Sequence, residues 1–194
     1  MSISILVYTY LQTLQHGFPE AWRPTVCPHC NRERSFHHHG KRNRLVVLLT
    51  AFHWIPIYRF KCKICKHTQS VIPSFVLPGQ QASLELQEHV LSQVEEGQPL
   101  NPIHENMPPE SQHSEKTLWR WKKRWQKLID LNAEKIWPVL LKQFPLMHLP
   151  QGKDKPQSNP AWFLRLWQQL HDRRCFLEWL TSDFHPLLTG ITGD

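Results

Sequence analysis

Cys27-Pro28-His29-Cys30 is followed, 31 residues later, by Cys62-Lys63-Ile64-Cys65, and these two short stretches decide how the chain is read. A two-residue gap lets both thiolates of a pair turn toward one ion in a tight knuckle. Two such knuckles supply the four soft ligands that a tetrahedral structural zinc prefers. Cys27, Cys30, Cys62 and Cys65 are therefore the expected metal ligands, and Zn2+ is the expected cofactor. The spacer exceeds the roughly 15 to 20 residues of the compact template, but it contains strand-like segments. Leu45 to Leu49 is an apolar run, and Trp54 to Phe60 is rich in aromatic and β-branched residues. A hairpin between the knuckles would bring them together as a zinc ribbon. A redox Cys-x-x-Cys would need only one motif in a βαβ setting, which the sequence lacks. Four thiolates also leave no open position for water, so the expected metal is structural rather than catalytic. His29, His67 and the run His37 to His39 are assigned to the ribbon surface.

Outward from the knuckles the charge is segregated. The 194-residue chain has a formal net charge of +7. Between Glu20 and Ser70 ten cations (Arg23, Arg32, Arg34, Lys41, Arg42, Arg44, Arg59, Lys61, Lys63, Lys66) face two acids. Val71 to Leu118 reverses this, with seven acids against Lys116, and Trp119 to Asp130 returns to five cations against one acid. Clustered cations attract polyanions through counterion release, so double-stranded DNA is the expected partner. Four thiolates on a divalent cation leave a formal charge of −2. Arg59, Lys61, Lys63 and Lys66 beside the second knuckle offset it and leave positive potential for phosphate contact.

The second cationic island reads as a helix. Ser114 is a good N-cap, and Glu115 to Leu131 contains no Gly or Pro. At about 100° per residue, Leu118, Trp121, Trp125, Leu128 and Ile129 share one face, whereas Lys116, Arg120, Lys123 and Lys127 gather opposite. Trp119 lies between the two. Ser83 to Glu96 reads as an upstream amphipathic helix stopped at Gly97, and Asn101-Pro102 opens a short helix through Met107. Helix, short helix, turn and longer basic helix is the layout of a helix-turn-helix unit. Ser114, Lys116, Thr117 and Arg120 would then reach bases or phosphates, while Lys123, Arg124 and Lys127 would track the backbone.

Cys27-Pro-His-Cys30, His37 to Gly40 with Arg42 and Arg44, Ile55-Pro-Ile-Tyr-Arg-Phe-Lys-Cys62 with Cys65, Thr68 to Pro73 and Leu77-Pro78 together resemble the zinc ribbon that opens many transposon-encoded bacterial proteins. Ser114-Glu-Lys-Thr-Leu-Trp-Arg-Trp121 is similar to the recognition-helix motif of transposases and their accessory proteins. The resemblance covers roughly Cys27 to Gln126 and implies DNA association in a mobile-element setting. The chain departs from the family between Gln98 and Ser111, where Pro99, Pro102, Pro108 and Pro109 replace a regular middle helix.

Downstream, Asn132 to Phe144 continues helically with Pro138 expected to kink or restart it, and Pro145 to Asn159 reads as a linker. Asn159-Pro160 opens a Trp-rich helical segment, followed by Phe176, Leu177, Trp179 and Leu180. These aromatics either form core or dock a transposase, another mobile-element protein or a second copy of the chain. Cys175 is expected to be a small buried hydrophobe. The downstream acids Asp130, Glu134, Asp154, Asp172, Glu178, Asp183 and Asp194 are scattered, with no strands to arrange them around two metals. No Gly-rich phosphate loop or nucleophile elbow is present either.

No apolar run approaches the roughly 20 residues needed to cross a bilayer. Ser2 to Leu11 is apolar without a positively charged leader, so a cytoplasmic, reducing location without disulfides is expected. The expected fold class is α+β: a zinc ribbon with an N-terminal extension over 1–78, a helix-turn-helix-like domain over 79–145, and a linker with aromatic-rich helices over 146–194. The expected function is non-enzymatic DNA binding, as a transposition accessory factor or regulator. The competing readings are a zinc-stabilised protein-interaction adaptor and the non-catalytic part of a split transposase.

Overall fold

The structure, a computed structural model, describes residues 7–170 and 174–182. Part of the apolar stretch Ser2 to Leu11, and Asp172, Asp183 and Asp194, lie outside the described residues. The chain is α+β and divides into two compact units, Met1–Ser83 and Leu84–Asp194. The C-terminal helices do not stand alone but pack on the helices before them, as described below.

In the first unit, α1 (Val7–Gln15) precedes a three-stranded antiparallel sheet of order β1-β2-β3 (Phe36–Val47, Phe52–Cys62, Thr68–Val71). The β1–β2 hairpin runs from Phe36 opposite Cys62 to Val47 opposite Phe52. An irregularity between His38 and Lys41 sets His39 and Gly40 against Arg59. Gly40 takes a φ of 103°, the left-handed backbone that such a bulge favours in glycine. Successive strand residues point to opposite faces, and β2 buries a different face at each end. Ile55 and Ile57 turn to one side, where they pack with Val46, Val7 and Tyr10 of α1, Phe75 and Val76. The Tyr10 hydroxyl donates to the Pro56 carbonyl at 2.6 Å, and its ring stacks on Trp22. Phe60 and Cys62 turn to the other side and pack with Cys27, Phe36 and Val71. One sheet thus serves two small cores.

The second unit contains five helices among the described residues: α2 (Leu84–Glu95), α3 (Leu100–Asn106), α4 (Glu115–Gln143), α5 (Asn159–Trp167) and α6 (Phe176–Ser182). Helix α2 touches the other four, and α4 also packs on α3 and α5. Ser114 caps α4 by accepting the Thr117 N–H at 3.3 Å, and Ser158 caps α5 by accepting that of Ala161 at 3.1 Å. Pro138 neither ends nor restarts α4, which continues to Gln143. The C-terminal aromatics are core: Phe163, Phe176 and Trp179 are almost fully buried, and their rings contact one another and Trp167. Between α3 and α4 stand eight residues, Met107 to Ser114, including a 3-10 turn at Pro109–Ser111. This connection is longer than the three or four residues of a tight helix-turn-helix turn.

Glu88 on α2 ties α6 in place by accepting the Leu177 N–H at 2.8 Å. Burial pushes its carboxyl up to about 7, with the Glu85 charge acting in the same direction against the hydrogen bonds from Leu177, Phe176 and Cys175. The Cys175 thiol beside it is raised by burial first and by Glu88 next, so this cysteine is a polar partner of the carboxyl rather than only a small hydrophobe. Folded protein holds a proton on Glu88 up to about pH 7 that the unfolded chain releases near 4.5. The resulting stability is complete below 4.5 and lost as pH rises through 7, on the order of 3 kcal/mol. Urea midpoints of the wild type should fall across this window, and Glu88→Gln should flatten the profile.

Candidate metal centre

The two knuckles are built alike. In the first, the Cys27 N–H donates to the Arg32 carbonyl at 3.0 Å and the Asn31 N–H to the Cys27 carbonyl at 2.8 Å. In the second, the Cys62 N–H donates to the His67 carbonyl at 2.8 Å and the Lys66 N–H to the Cys62 carbonyl at 3.1 Å. The residue after each second cysteine adopts left-handed backbone, Asn31 with φ 54° and Lys66 with φ 63°. That reversal lets the chain leave the knuckle while both sulfurs of a pair point inward. The hairpin then brings the pairs together, because β2 ends at Cys62 opposite Phe36 and the Lys63 N–H donates to the Ser35 carbonyl at 2.7 Å.

The four Sγ atoms lie within 4.8 Å of one another. Cys27 and Cys65 approach to 3.6 Å, and Cys30 and Cys62 to 3.7 Å. Disulfide sulfurs sit about 2.05 Å apart, and all four cysteines are free. Tetrahedral thiolates with zinc–sulfur bonds of about 2.3 Å stand roughly 3.8 Å apart, so the cluster has the dimensions of a four-sulfur metal site. It can hold a metal ion such as zinc. Cys27 and Cys62 are buried, Cys30 and Cys65 half-buried.

Without a cation the sulfurs divide unequally between charged and neutral forms. Cys62 lies 3.2 Å from the Ser35 hydroxyl, and that hydrogen bond leads the causes that lower its thiol to about 6, against the opposing effect of burial. The His67 backbone favours a Cys65 thiolate too. Burial and the neighbouring sulfurs of Cys30, Cys27 and Cys62 outweigh it and push Cys65 up to about 12. Four thiolates cannot share this space uncompensated, and a divalent cation removes the conflict. Ser35 is the contributor that sequence spacing does not reveal: it stands outside the motif and becomes visible only through its burial and its contact with Cys62. His29 and His67 are exposed and stack on each other at 5.4 Å between ring centres, consistent with their assignment to the ribbon surface.

The cations expected to contact nucleic acid fall into one set in each unit. In the first, Arg42, Lys63 and Lys66 are exposed, and Arg59 and Lys61 are half-buried on β2. Lys61 and Arg59 lie close enough to His39, on the bulge, to disfavour its charged form after desolvation has done so. Arg44 is differently employed: it is half-buried and donates to the Leu77 carbonyl at 2.7 Å, so it anchors the chain beyond β3. In the second unit, Lys116, Arg120, Lys123, Arg124 and Lys127 are all exposed along α4, while Leu118, Trp121, Trp125, Leu128 and Ile129 are buried. Ser114 and Thr117 are engaged with each other at the cap, 3.0 Å between hydroxyls. The Arg124 guanidinium lies 5.6 Å over the Trp125 ring. Trp119 is half exposed. No described helix is long and apolar enough to cross a membrane.

Residues 27–121 match a family model described as a domain of unknown function (DUF6431), a span that runs from the first knuckle into the N-terminal turns of α4. No curated protein and no solved structure matches the chain.

Proposed function

We propose that this is a non-enzymatic, zinc-containing DNA-binding protein that acts as an accessory factor or regulator of a mobile element. The observation that carries the reading is charge placement. From Arg34 to Leu84, a stretch that includes the whole sheet, there is no Asp or Glu, while eight Lys and Arg are present. A protein surface meant only for solubility mixes both signs. A surface of one sign selects an opposite polymer, and DNA carries one negative charge per roughly 1.7 Å of duplex.

The zinc would be held by Cys27, Cys30, Cys62 and Cys65 and would act structurally, fixing the end of the hairpin that displays Arg59, Lys61, Lys63 and Lys66. Helix α4 supplies the second contact, with Lys116, Arg120, Lys123 and Lys127 along its exposed side. Helices α2, α3 and α4 are read as a helix-turn-helix-like unit with a lengthened turn, which favours backbone tracking by α4 over base reading. The mobile-element setting rests on the resemblance of the ribbon and of Ser114 to Trp121 to transposon-encoded proteins.

Fluorescence anisotropy on random duplex between 50 and 200 mM salt tests the reading. With six or more phosphates neutralised, affinity should fall at least about 1,000-fold across that range. Lys123→Ala should weaken binding alike on all sequences and make the logarithmic salt slope shallower by about one. Background binding with no salt slope would leave the adaptor reading in its place.

A further inference from the structure

We infer that the turn end of the β1–β2 hairpin is a stacking platform for unpaired bases, so that the DNA bound by the first unit includes a single-stranded stretch. This rests on the DNA-binding reading above and specifies its substrate. Phe52 and Trp54 are 54% and 63% exposed, although both belong to β2. They stand two residues apart on one face of the strand, about 6.8 Å along it. Ile55 and Ile57, which follow them along β2, are completely buried on the other face, against α1. The backbone that carries the two rings is therefore fixed, and their exposure is a property of the face and not of a loose loop. Leaving a tryptophan and a phenylalanine side by side in water forgoes burial free energy that folding ordinarily recovers, which marks such patches as binding surfaces.

The surroundings choose the occupant. Leu45 is paired opposite Trp54, Asn43 opposite Pro56 and Lys41 opposite Tyr58, so the aromatic row of β2 is bordered by β1 residues that are apolar, amide and cationic in turn. The cation of this face, Lys41, is exposed. The absence of any carboxylate from Arg34 to Leu84 fits a polyanion. It opposes a second copy of this chain, whose face would bring the same cations against these. In a duplex the flat faces of bases are covered by their neighbours, whereas in a single strand they are open to aromatic rings set on a sheet, with cations to follow the backbone. Rings plus cations without acids match that ligand.

The test uses the zinc-loaded full chain and two dye-labelled probes, a 15-nucleotide oligothymidylate and a 15-base-pair duplex. Trp54→Ala should weaken oligothymidylate binding roughly 5- to 150-fold, the range of one lost base–aromatic stack. Trp54→Phe should retain most of the affinity, duplex binding should change less than twofold, and the salt slope should stay the same because no charge is removed. Equal oligothymidylate affinity in wild type and Trp54→Ala would overturn the platform while the duplex result upheld DNA binding. A parallel loss on both probes, or a shift from oligomer to monomer in sedimentation of Trp54→Ala, would overturn it as well. Failure of the wild type to bind either probe would overturn the DNA reading itself.

Discussion

Serine at Cys62, or a strong chelator added to the wild type, is expected to abolish the ordered hairpin base of the first unit while the helices of the second persist. The sulfurs are not appended to a core that would form without them. Cys27 and Cys62 are themselves members of the small cluster with Phe36, Phe60 and Val71, and the residue paired with Cys62 is Phe36. Structural zinc contributes an apparent free energy of about 10 to 16 kcal/mol at neutral pH in zinc-finger peptides. The whole stability of an ordinary domain is about 5 to 15 kcal/mol, so loss of the metal exceeds what a sheet of this size can absorb. Serine retains the hydrogen-bonding group but does not ionise to a comparable ligand, and three sulfurs remain clustered without their cation. The measurement is near-ultraviolet circular dichroism, which should lose its aromatic signal from the first unit, beside far-ultraviolet spectra, which should retain the helical bands of α2 to α6. Proton counting supplies an independent check. Since burial and the neighbouring sulfurs favour the neutral Cys65 thiol without metal, loading in weak buffer at neutral pH should release protons, and metal affinity should fall as pH is lowered.

Some elements were legible because one local interaction specifies them. The knuckles follow from a two-residue gap, and α4 begins at Glu115 because Ser114 accepts the Thr117 N–H. Helix α2 begins at Leu84 and stops just before Gly97, within a residue of its reading from periodicity. Strand β1 was legible only at its apolar end, Leu45 to Val47: His37 to Arg44 carries histidines and cations without an apolar pattern, yet it pairs with β2 for most of its length. Strand β3 has four residues and little apolar signal, so its existence depends on the partner β2 provides. The same holds for Glu88, which periodicity leaves among solvated residues and which burial by α6 turns into a titrating tie. Nothing local distinguishes Phe52 and Trp54 from core aromatics, either. Their exposure follows from which face of β2 the helix α1 covers, a fact of tertiary packing.

Trp125→Ala is expected to destabilise the second unit by about 3 to 5 kcal/mol, the largest effect of any single truncation on α4. The indole is fully buried and donates its N–H to the Gln87 side-chain oxygen at 2.9 Å, a buried hydrogen bond that joins α4 to α2. Truncation removes a large apolar volume from between two helices and takes a donor from an enclosed amide, so the transfer and cavity costs are joined by a polar one. It also releases the Arg124 guanidinium from the ring beneath it. Helix α4 presents its cations only because its opposite side is packed, so the proposed DNA affinity should fall in Trp125→Ala in step with the folded fraction. Lys123→Ala should do the reverse, lowering affinity with an unchanged urea midpoint, because Lys123 is exposed. The contrast separates a residue that positions the cationic stripe from one that belongs to it. If both variants lost affinity at equal stability, Trp125 would have a role beyond packing; if neither lost any, α4 would not be the second DNA contact.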